Sequence, residues 1–169
     1  FLEHTIRDQK RLGLHLDNKV KEDRVKEIQL RATELSTQYM QNLNEESTKL
    51  LFSEEELSGL PRANLTRLKK DSSGKFIVTL AYPDYFPVME FVTNSSTRKR
   101  VCTAFKSRCK EQNTPLIEEM VKLRHEKATI LGYPTHADYM LQVNMAKSPE
   151  IALDFLKKIG RRMKPLAGK

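Results

Sequence analysis

The apolar residues of this chain fall mainly at alternating steps of three and four. Val25, Ile28, Ala32, Leu35, Tyr39 and Leu43 make the clearest run. That spacing puts them on one stripe of a helix starting near Asp17, with Asp17 or Asn18 able to cap it. So narrow a stripe asks for a partner helix, and the run is too short for an independent coiled coil, so an antiparallel neighbour within one helical domain is expected. The pattern breaks at "NLNEESTKLLFSEEELSGLP", where Ser53 with Glu56 fits a capping box for a short helix that Gly59 and Pro61 stop. A second short helix is expected over residues 63–70. In "DSSGKFIVTLAYPDYFPVMEF", turn residues precede Phe76, Val78 and Leu80 alternating with Ile77 and Thr79, which is the one strand signal. Pro83 and Pro87 then leave room only for a proline-started helical turn over 84–91. Helices follow over 95–112 behind "TNSST", over 115–131 with Pro115 in the first turn, and over 135–145. A last helix over 148–163 is expected to bury Ala152, Phe155, Leu156 and Ile159. No internal repeat stands out. The predicted fold class is mostly α with one short β element, a single helical segment across residues 1–169.

Composition narrows the class without changing that picture. With 38% hydrophobic and 31% charged residues, the 169-residue chain can bury a core of its own or form a sizeable piece of a larger domain, and it does not read as disordered or fibrous. No apolar run approaches the roughly 20 residues of a membrane helix. "FLEHTIRDQK" lacks an initiator Met and an apolar signal stretch, and "RRMKPLAGK" ends without a feature, so both ends read as truncated. Cys102 and Cys109 fall in one expected helix, roughly 10 Å apart along its axis, which precludes a disulfide between them. A reducing compartment, the cytosol, is expected.

The net charge of +8 raises the question of nucleic acid. Arg98, Lys99, Arg100, Lys106, Arg108 and Lys110 form one cluster, and Lys157, Lys158, Arg161, Arg162 and Lys164 another. Both alternate with apolar residues at helical spacing, as solvated helix faces do, and Phe105 belongs to the apolar stripe, not to a base-stacking platform. A free-standing basic module for nucleic acid or an acidic protein is the rival reading.

Candidate chemistry concentrates in "LRHEKATILGYPTHADYM". A zincin helix needs two histidines at i and i+4 with a glutamate after the first, so that both imidazoles share one face. His125 and Glu126 fill the first two positions, but Thr129 stands at i+4, and His136 and Asp138 lie beyond the Gly132-Tyr133-Pro134 break. No metal, cofactor or catalytic residue is assigned here. Gly132 is expected to end one helix in a left-handed conformation, Thr135 to cap the next, and Asp138 to sit in its first turn. Cys102 and Cys109 read as inert core thiols.

Several motifs carry a resemblance: "LNE" at 43–45, "YPDYFPVM" at 82–89, "RCKEQN" at 108–113, "LGYPTHADYML" at 131–141, "NMAKS" at 144–148 and "MKPL" at 163–166. In this order, and across almost the whole chain, they resemble the thimet oligopeptidase and neurolysin family of zinc metalloendopeptidases. The resemblance implies two mostly helical domains flanking a deep channel, with zinc held by an H-E-x-x-H motif late in the chain. Residues 1–169 would then be a helical part of the N-terminal scaffold and channel wall, from before that motif. They would help to select short peptides by size and supply no chemistry. Zinc would belong to the full-length enzyme and a missing C-terminal catalytic domain would pack against this segment; the chain alone would be inactive. The resemblance adds mitochondria to the cytosol as a family compartment.

Overall fold

The computed structural model describes residues 2–167, which form eight helices and a two-stranded sheet. In chain order these are α1 Leu2–Arg11, α2 Lys19–Asn44, β1 Lys49–Phe52, α3 Arg62–Arg67, β2 Phe76–Thr79, α4 Tyr82–Phe91, α5 Ser95–Ser107, α6 Lys110–Ile130, α7 His136–Leu141 and α8 Pro149–Ala167. The protein is mostly α, as its periodicity predicts. Its contacts divide into two compact units: a helical unit up to Ser36 and from Leu116 onward, and a sheet unit, Thr37–Pro115. Both boundaries fall inside helices, α2 and α6.

In the sheet unit, the expected strand pairs antiparallel with "KLLF", Lys49 opposite Thr79 and Phe52 opposite Phe76. Pattern reading missed β1, since four residues without alternation carry no period. The pairing is nevertheless required, because a lone strand would leave its N–H and C=O groups without partners. Around it Phe52, Leu57, Leu60, Phe76, Val78, Tyr85, Val88, Val92 and Val101 close into one buried cluster. The Ser53–Glu56 capping box forms, the Ser53 amide donating to Glu56 Oε2 at 2.8 Å and the Glu56 amide to Ser53 Oγ at 3.2 Å. The box opens a series of turns and not the expected helix. Gly59 has φ +92°, and a Cβ there would stand 2.4 Å from the Phe91 carbonyl oxygen, so only glycine fits.

Helix α4 is longer than the expected turn, with Pro83 in its first turn and Pro87 inside. Pro87 has no N–H for the Pro83 carbonyl, and Arg67 Nη2 donates to that oxygen instead. Asn94 caps α5, its Oδ1 accepting from the amides of Ser96 at 2.9 Å and Thr97 at 3.3 Å. The helix expected over 95–112 is not continuous. It stops at Ser107, and Cys109 takes a left-handed φ of +53° before α6 starts. Pro115 therefore lies inside α6, not in its first turn. The break is held by long-range bonds that no local pattern reports: the Cys109 thiol donates to the Asn42 carbonyl at 3.1 Å, and Asn42 Nδ2 donates to Asn113 Oδ1 at 2.7 Å.

In the helical unit, α1 had no counterpart in the periodicity reading. The α2 stripe buries Val25, Ile28 and Leu35 as expected, and α6 contributes Ala128 with Leu131 beyond its end. The expected antiparallel neighbour of α2 is α6. Arg24 grips Glu126 through Nε at 2.7 Å and Nη2 at 3.0 Å, and Arg31 grips Glu119 through the same atoms at 2.6 and 2.9 Å. Gly132, at φ +85°, ends α6 with the Tyr133 amide reaching back to the Ala128 carbonyl at 2.9 Å. Thr135 caps α7, which ends at Leu141, short of the expected 145. Helix α8 departs most from expectation: Ala152 is half-buried, but Phe155, Leu156 and Ile159 are 61%, 63% and 40% exposed, so most of its apolar stripe finds no cover among the described residues.

Candidate functional site

The stretch that imitates a zinc motif is occupied by structural bonds. Glu126 is held by Arg24, which keeps its carboxyl below the usual carboxylate range. Thr129 Oγ1 donates to the His125 carbonyl at 3.0 Å, and His125 is exposed. Beyond the break, Asp138 accepts the Thr135 hydroxyl at 2.6 Å while its amide donates to Thr135 Oγ1 at 3.2 Å, closing the predicted cap. The carboxylates that a metal would need are thus committed to other partners. Among the described residues no three His, Cys, Asp or Glu side chains converge. These residues do not fit a zinc ion.

His136 is the one unsettled member of the stretch. Its Nδ1 is buried without a hydrogen-bond partner, and burial, then the charges of Arg124 and Lys127, push its pKa down. Both effects favour its neutral form. Nearby, Tyr139 carries two cations on its ring, Arg11 at 4.0 Å and Lys127 at 5.4 Å from the centroid. Arg11 also donates to the Tyr139 carbonyl at 2.6 Å. Sequence reading missed this group. Arg11 and Tyr139 are separated by 128 positions, and no local signal joins them.

A cavity of about 670 Å³ lies in the sheet unit, with Met40, Leu43, Leu80, Tyr82, Lys49 and Arg108 in its walls. Of its basic residues, Arg108 belongs to the first cluster read from the sequence, and the arginines of that cluster serve the fold. Arg98 ties the end of α4 through the carbonyls of Val92 at 2.6 Å and Thr93 at 2.8 Å. Arg100 pairs with Glu56 at 3.2 Å over the Phe52 ring, and Arg108 stacks on Phe105 at 3.9 Å. Arginines engaged in this way leave the nucleic-acid reading without support. Cys102 and Cys109 are free thiols. Burial and then Glu46 push the Cys109 pKa up, so it stays protonated and weakly nucleophilic.

Comparison with known proteins decides what the geometry leaves open. The model of Peptidase family M3 matches residues 88–169. The thimet-like oligopeptidase of Dictyostelium discoideum is 34% identical over 99% of the chain, and the probable thimet oligopeptidase of Arabidopsis thaliana is 35% identical over 99%. Oligopeptidase A of Salmonella typhimurium is 34% identical over 97%. This chain belongs to peptidase family M3. It spans about a quarter of the length of these relatives, 25%, 23% and 26% respectively. The match to the M3 model begins inside α4 and takes in α5 to α8, so it includes the "LGYPTHADYML" helix stop and restart. No helix among the described residues is long and apolar enough to cross a membrane.

Proposed function

We propose that this chain is a helical scaffold and channel-wall segment of a zinc-dependent oligopeptidase that hydrolyses short peptides, and that it lies before the zinc motif of that enzyme. The observation that carries the reading is the match of three oligopeptidases along nearly the whole chain at about one residue in three. The engagement of Glu126 of the HEKAT stretch by Arg24 is in keeping with it. The exposed stripe of α8 is where the rest of the enzyme packs. The cytosol is its compartment, with mitochondria as the alternative.

Two experiments test this. The purified chain should hold no stoichiometric zinc and should leave a quenched fluorescent peptide uncut; cleavage abolished by a chelator would overturn its assignment as a non-catalytic part. A hybrid in which these residues replace the matching quarter of Salmonella oligopeptidase A should still hydrolyse peptides. A hybrid that folds and binds zinc but shows no hydrolysis would count against the scaffold role.

A further inference from the structure

One groove in the helical unit combines an apolar lining with a cation that no carboxylate answers. Leu12 and Leu14, between α1 and α2, and Val25 and Leu30 of α2 line a volume of about 490 Å³, with Lys26, Gln29, Thr33 and Lys127 supplying polar groups. Leu12, Leu14 and Leu30 are 56%, 58% and 64% exposed. Lys127 Nζ donates to Gln29 Oε1, and among the described residues it forms no ion pair. On α2 and α6, Glu22 and Asp23 are paired with Lys19 and Lys26, Glu126 with Arg24 and Glu119 with Arg31. Arg11 adds positive charge over the same Tyr139 ring that Lys127 approaches. Burial, and then Arg11, push the Lys127 pKa below its ordinary value, as befits an ammonium lacking a counter-ion.

We propose that this groove binds an aliphatic monocarboxylate, its hydrocarbon chain lying along Leu12, Leu14, Val25 and Leu30 and its carboxylate on Lys127 Nζ. The chemistry of the walls selects this class over a peptide. A peptide brings an N–H and a C=O with every residue, and each needs a partner once buried. The α2 wall has its backbone bonded within the helix, Lys26 is paired with Glu22 and the Thr33 hydroxyl donates to the Gln29 carbonyl at 2.9 Å, so Gln29 and Lys127 are left to answer them. An alkanoate has one polar end, and the groove has one free cation for it. This site is independent of peptide hydrolysis.

Calorimetric titration of the 169-residue chain with alkanoates below their micelle concentrations tests it. Decanoate should bind with one-site stoichiometry, and each methylene added from hexanoate upward should tighten binding about fourfold until the groove fills. Decanol should bind about tenfold or more weakly than decanoate, since a charge-assisted hydrogen bond separates them. Lys127→Met should cost decanoate that factor, leave decanol unchanged and keep or raise the thermal midpoint, because it removes an unpaired charge; Lys127→Arg should retain binding. Leu14→Glu, at an exposed lining position, should weaken every chain length. Equal affinity for decanoate, decanol and decylamine would overturn the proposal and mark the groove as a face covered by another helix. Absence of saturable decanoate binding below about 1 mM, or an unaffected Lys127→Met, would also overturn it.

Discussion

In the sheet unit nine buried side chains gather around a pair of strands. In the helical unit a thin seam of Val25, Ile28, Leu35, Ala128 and Leu131 is flanked by two bidentate ion pairs, while Phe155, Leu156 and Ile159 of α8 stay open. The same chain therefore uses two means of holding itself together. Burial of apolar surface has no direction and little response to salt, whereas exposed ion pairs are weak, directional and screened. The sheet unit should thus be fixed by volume, and the helical unit by alignment.

The largest effect should come from emptying the sheet unit's cluster. Phe52 is fully buried, and Phe52→Ala should cost about 3–5 kcal/mol in urea unfolding. A cost below about 1 kcal/mol would mean that the cluster is not what holds this unit. Removing the cap of α5 with Asn94→Ala should cost about 1 kcal/mol by the same measurement, and it should leave hydrogen exchange in α2 and α6 beyond Pro115 unchanged.

The helical unit should respond to pH where the sheet cluster does not. Arg24 and Arg31 hold Glu126 and Glu119 below their ordinary pKa. Such a contribution is fully present above the unfolded carboxylate value, about 4.3, and is lost as pH falls through the lower folded values. Amide exchange in α6 should accelerate in that acid window. The double change E119Q/E126Q should remove the dependence, and 1 M salt should blunt it. Smallest of all should be Phe155→Glu with Leu156→Glu on α8, within about 0.5 kcal/mol of no change, since these side chains already face solvent. A large loss of stability there would show that the stripe is covered after all.

Features legible in the sequence are those whose cause is local. The Asn94 and Thr135 caps, the Ser53–Glu56 box and the left-handed Gly132 all depend on residues within a few positions, and they stand where the sequence puts them. Strand β1, the break at Cys109 and the Arg11–Tyr139–Lys127 group depend on partners far along the chain, so no periodicity announces them. The α8 stripe teaches a further limit: amphipathic spacing says which face of a helix is apolar but not whether its cover lies in the same segment. At the candidate site, Thr129 is what separates HEKAT from the zinc signature in the sequence, whereas the engagement of Glu126 by Arg24 is visible only in the structure.

The two arginine grips also act as a vernier. Arg24 and Arg31 are one heptad apart on α2, and Glu126 and Glu119 are one heptad apart on α6, running the other way. Sliding α6 by a heptad in either direction would bring one arginine to a glutamate and leave the other facing none. Both marks coincide at a single setting, so a misaligned helix pair would be detectably short of one bond while it could still slip and try again.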